Sequence, residues 1–171
     1  MAFLYVAACL APLGLALSRS VAAQDTWERA AAGLGLVALM AMTIQFVTSG
    51  RFEAISGRLG IDKIMAFHKI AAVWVLIAVI VHPLAYVLPT WMENPVLGAE
   101  RLTAYLTVPH YRSGVVALGA LVTLVATAIL RDRLPWPYEA WRATHVLLGL
   151  LAVGGGLHHA ATTGRFSAIG P

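Results

Sequence analysis

The stretch IAAVWVLIAVIVHPLAYVLPTWM, residues 70–92, runs twenty-three positions without an Asp, Glu, Lys or Arg. An α-helix rises about 1.5 Å per residue and needs about 20 residues to cross a hydrocarbon core of about 30 Å. This stretch alone is long enough to span a bilayer. A soluble helix of that length would carry charge on its exposed face every turn or two, and none is present.

The same pattern recurs along the chain. Met1–Ser18, Ala30–Gly50, Ser113–Leu130 and Ala143–Gly164 are also free of charged residues. Of the 171 residues, 60% are hydrophobic and 12% charged, against roughly 25% charged in an ordinary soluble domain. The expected fold is therefore an all-α integral membrane protein, a helical bundle of five spanning helices, with residues 1–171 forming one domain. No internal repeat or low-complexity tract divides it.

The net charge of +4 does not point to nucleic acid, because basic loops are usual where a membrane protein meets lipid headgroups. The expected partner is the lipid bilayer. The single cysteine, Cys9, lies inside the first apolar stretch, where it can form no internal disulfide and reads as a small hydrophobe. Ser20-Val21-Ala22-Ala23 resembles a signal-peptide cleavage site, but no basic residue precedes the apolar run. A retained first helix is the preferred reading.

The intervening loops differ in charge. Arg51–Lys69 and Arg131–Arg142 lie on one side of a five-crossing chain and hold seven of the twelve basic residues. The other loops are Arg19–Arg29 and Glu93–Arg112, the second of which contains Pro95, Pro109 and His110. The excess favours the second and fourth loops as cytoplasmic. A multi-pass protein of the cell membrane with its N-terminus inside follows, and the third and fifth helices then run parallel.

Five of the six histidines fall on those two helices: His68 and His82 on the third, His145, His158 and His159 on the fifth. Imidazole in hydrocarbon is costly and marks a functional site by default, although an interhelical hydrogen bond is the simpler use. His68 and His82 are fourteen residues apart, roughly 40° apart around the helix and about 21 Å along it. His145 and His159 share that spacing, whereas His145 and His158 are thirteen apart. Parallel helices would set His68 level with His145, and His82 level with His158 or His159. Zinc asks for four converging ligands, often with sulfur, and these helices offer two separated pairs. A haem brings four equatorial nitrogens and asks only for axial ligands. Histidine on both sides of the iron leaves no site for substrate, so the expected chemistry is electron transfer. Gly149, Gly154, Gly155 and Gly156 would leave room for a flat ring, or equally for a neighbouring helix.

Gly60-x-Asp62 with Phe67-His68, then His82-Pro83, then Tyr138-Glu139-x-Trp141-Arg142-x-x-His145 together resemble the ferric reductase-like transmembrane domain. That family includes bacterial ferric reductases and the membrane half of NADPH oxidases. The resemblance covers nearly the whole chain. It implies a six-helix bundle with two b-type haems (haem b) between the third and fifth helices, fed from NAD(P)H through FAD and emptied to an outer acceptor. It implies His68 and His145 as ligands of the inner haem, and His82 with His158 as ligands of the outer one. Helical phase prefers His159 to His158, and both stay open here.

The chain ends at Pro171, where a loop before a sixth helix is expected, and shows no Gly-rich nucleotide-binding turn. FAD and NAD(P)H are therefore expected only through a further domain or a flavoprotein reductase subunit. Leu151 stands where oxidases of the family often place an aromatic residue. Two other readings are a haem anchor subunit serving quinone or a periplasmic partner, and a haem-free transporter or assembly subunit. Arg58, Lys63 and Arg142 are candidates to neutralise inner propionates, and His110 and Arg112 to meet an outer acceptor.

Overall fold

The computed structural model describes residues 2–18, 26–47, 49 and 60–163. Among them there is no strand. The described residues form six α-helices in order: α1 Ala2–Ser18, α2 Thr26–Val47, α3 Ile61–Glu93, α4 Pro95–Thr107, α5 Arg112–Ile129 and α6 Tyr138–Thr163. Short 3-10 turns, Pro109–Tyr111 and Arg131–Arg133, flank α5. The cleavage-like Ser20–Ala23 and Arg58 lie outside the described residues.

The helices are built for an apolar solvent. Large apolar side chains point outward: on α3, Ile70, Trp74, Ile77, Val81, Leu84 and Leu88 are exposed at three- and four-residue intervals. Small ones point inward, with Ala31, Ala38, Ala71, Ala117, Ala120 and Ala152 buried. Small residues at contacts let helix backbones approach, which is how helices associate when lipid itself is apolar. The hydroxyls of Thr43, Thr123, Thr127 and Thr144 bond back to carbonyls four residues earlier, at 2.8–2.9 Å, so these helices present few unpaired polar groups to lipid.

Thr26–Phe46, Ile61–Glu93, Pro109–Ile129 and Tyr138–Thr163 are each long and apolar enough to cross a membrane, while the apolar part of α1, Tyr5–Leu15, is shorter. The protein is an all-α, multi-pass membrane protein. One difference from expectation lies in Glu93–Arg112. It is not a loop but largely the thirteen-residue helix α4. Asn94 caps it, its side-chain oxygen accepting from the backbone N–H groups of Val96 and Leu97 at 3.0 and 3.3 Å. Pro95 follows at the first helical position, where its missing N–H costs nothing.

The chain divides into two compact units, Met1–His82 and Pro83–Pro171, with the boundary inside α3. In the first unit α1 packs on α2, and a Cβ on Gly33 would stand 3.0 Å from Leu13 Cδ1. Tyr5 of α1 meets Phe67 of α3 edge to face, centroids 4.9 Å apart. In the second unit α5 and α6 form an antiparallel hairpin. Its register is set by Trp141, whose indole N–H donates to the Thr127 carbonyl at 3.2 Å, and by Gly155 opposite Ser113 and Ala117. Arg101 of α4 donates to Thr90 Oγ1 at 2.8 Å and to the Tyr105 hydroxyl at 3.2 Å, tying α4 to the end of α3.

Candidate functional site

The candidate ligands fall in both units, two in the first and three in the second. His68 and His82 belong to the first unit, and His145, His158 and His159 to the second. Both sets stand on single uninterrupted helices.

His82 has the most fully built surroundings. Its Nδ1 lies 2.7 Å from the carbonyl oxygen of Ala31 on α2. A carbonyl can only accept, so Nδ1 carries the hydrogen and Nε2 carries the lone pair. The ring lies against Gly35, one turn further along α2, where an added Cβ would stand 2.6 Å from Cε1. Pro83 follows directly within the helix. His68 is part-buried one helical span away on the same helix.

On α6, His145 is part-buried against Trp141, ring centroids 5.3 Å apart and planes 36° from parallel. Trp141 is in turn covered by the Arg131 guanidinium at 5.4 Å and tied to α5 through Thr127. His145 is thus braced by a residue anchored on the next helix. His158 and His159 part company. His158 is exposed, whereas His159 is part-buried on the side of α6 that meets α5. A Cβ on Gly114 of α5 would stand 2.9 Å from His159 Nδ1, and Thr163 Oγ1 lies 2.9 Å from the same nitrogen. The Tyr111 ring flanks it at 6.5 Å.

The glycine run has divided roles. Gly155 abuts the Ser113 carbonyl and Ala117, which is helix packing, whereas a Cβ on Gly154 would meet nothing within 4 Å. Arg142 pairs with Glu139 at 2.8 Å on the exposed start of α6 and covers Tyr138. His110 packs its ring on Tyr111 at 5.3 Å. Among the described residues no group of three or more His, Cys, Asp or Glu side chains could hold a metal ion. What the chain offers is imidazole in ones and twos, with at least one ring fixed to present Nε2. That donor set suits a group that brings its own equatorial ligands.

Sequence reasoning did not find Ala31, Gly35, Gly114 or Thr163. A small residue in an apolar helix carries no mark of which side chain, nearly fifty positions away, will lie on it.

The model of the family described as "Ferric reductase like transmembrane component" matches residues 34–156. An uncharacterized protein of Archaeoglobus fulgidus is 25% identical over 130 residues, which cover 75% of this chain and 71% of that protein. No solved structure matches.

Proposed function

This chain belongs to the ferric reductase like transmembrane component family, and we propose that it is a transmembrane cytochrome carrying two b-type haems. It passes electrons from a cytoplasmic flavin and NAD(P)H donor, held on another domain or a flavoprotein subunit, to an acceptor on the outer side. The observation that carries this reading is the placing of imidazoles at two heights on α3 and two on α6, together with the Ala31 carbonyl that fixes the His82 tautomer.

His68 and His145 hold the inner group, and His82 and His158 the outer one. Two things support His158 over its neighbour: the thirteen-residue spacing from His145 usual in the family, and the seating of His159 between Gly114 and Thr163. Helical phase supports His159. A bis-imidazole haem supplies one-electron exchange at an iron with no open coordination site. The protein residues orient the imidazoles, exclude water with the apolar surface around them, and hold the proton of His82 on Nδ1. The seven basic residues within Arg51–Lys69 and Arg131–Arg142, in the connections and the helix starts beside them, support an N-terminus in the cytoplasm and a place in the cell membrane.

The test is a reduced-minus-oxidised spectrum of the purified chain with a haem count. Sharp α and Soret bands with two haems per chain are expected, falling to one on His68→Ala, His145→Ala or His82→Ala. A spectrum without those bands would overturn the cytochrome reading. Full haem content in all three variants would overturn the ligands.

A further inference from the structure

We propose that Gly35 and the Ala31 carbonyl form a dedicated seat for His82, making Gly35 a positioning residue for the outer haem iron; this rests on the two-haem reading above. The two residues stand one turn apart on the same face of α2. Ala31 is fully buried. In an α-helix its carbonyl already accepts the N–H of Gly35, and its second lone pair takes the His82 Nδ1 hydrogen at 2.7 Å. Acceptor and clearance therefore arise from a single helical turn.

The clearance is narrow. A Cβ at position 35 would stand 2.6, 2.7 and 3.1 Å from Cε1, Nδ1 and Nε2 of the imidazole. All three distances are to the ring itself, which is rigid, so a methyl group there must push the ring aside. Moving the ring breaks the bond to Ala31, because that bond and the contact with Gly35 share one approach. A glycine serving helix contact alone behaves differently: Gly33, two positions earlier, faces the end of the flexible Leu13 side chain on α1.

The seat has two chemical consequences. It holds the ring in the tautomer that presents Nε2, and it raises the ligand's basicity, since an imidazole that donates from Nδ1 gains imidazolate character. Groups of this kind beyond the ligand shell typically change metal affinity roughly ten- to a hundredfold. A more basic ligand favours the ferric over the ferrous state, so losing the bond should raise the midpoint potential of the outer haem alone.

The test compares Gly35→Ala with Gly33→Ala in the full chain, purified with its haems. Redox titration and the low-spin electron paramagnetic resonance signals are read alongside haem retention. For Gly35→Ala we expect one of the two midpoints to rise, one of the two low-spin signals to shift, and one haem to be lost roughly ten- to a hundredfold more readily. Gly33→Ala should leave both haems as they are. Unaltered signals in Gly35→Ala, or equal changes in both variants, would overturn the seat while leaving the haem reading intact. Absence of haem from the unaltered chain would overturn both. Should Gly35→Ala fail to fold, nitrogen NMR of the unaltered, haem-free chain labelled in histidine decides: hydrogen on Nδ1 of His82 supports the seat, and hydrogen on Nε2 refutes it.

Discussion

A methyl group on Gly114 would stand 2.9 Å from Nδ1 of His159, so the glycine of α5 and the histidine of α6 are fitted to one another, while His158 beside it is exposed. Adjacent residues on a helix point about 100° apart, and these two serve different faces. If family spacing governs the outer haem, His158→Ala removes its absorbance and His159→Ala spares it. The opposite result would show that helical phase governs. Loss in both would make the second histidine a group that orients the first.

Two glycines should answer the same substitution in opposite directions. A Cβ on Gly98 of α4 would stand 2.6 Å from the Trp91 Cα, a backbone atom that no rotamer change can move. Gly98→Ala should therefore destabilise the protein by about 1–3 kcal/mol, as overpacking does. Around Gly119 of α5 there is open space, and Gly119→Ala should stabilise by up to about 1 kcal/mol through helix propensity. Thermal unfolding in detergent, followed by circular dichroism, checks both signs.

Spanning helices were legible because length and absence of charge suffice to name them. The region of α4 was harder: Glu93, Glu100 and Arg101 look like a solvated loop, yet Asn94-Pro95 is also a favoured helix start. The charged composition of the segment masks that signal. The candidate ligands were legible because histidine is conspicuous in hydrocarbon. Their supports were not, since Trp141 finds Thr127, and His82 finds Ala31, only through helix packing that no local pattern encodes.

The source of electrons gives a third prediction. Binding a dinucleotide calls for a phosphate cradle of backbone N–H groups, commonly at a helix N-terminus after a Gly-rich turn. On the two-haem proposal, dithionite should reduce the haems of this 171-residue polypeptide, and NADPH should not until a flavoprotein is supplied. Anaerobic mixing with NADPH alone checks this. Reduction at a catalytic rate would place the nucleotide site in this chain.

Sidedness gives the fourth. Asp132 is exposed in the turn between α5 and α6, and the one native cysteine, Cys9, is buried. In Asp132→Cys, a membrane-impermeant maleimide should label broken cells and spare intact ones. Labelling of intact cells would invert the topology.

The exposed apolar stripe of α3 carries a mechanical consequence. Its uncharged part, residues 70–92, is about 35 Å long, against a hydrocarbon core of about 30 Å. A rod longer than the slab it crosses leans or thickens the slab. Pro83 and Pro89 lie within that stretch, each removing one backbone hydrogen bond. In lipids of shorter acyl length the mismatch grows, and the depth of His82 below the headgroups changes with it. Bilayer thickness thus becomes a variable of this imidazole's surroundings: lipid chain length sets how much hydrocarbon lies between His82 and water.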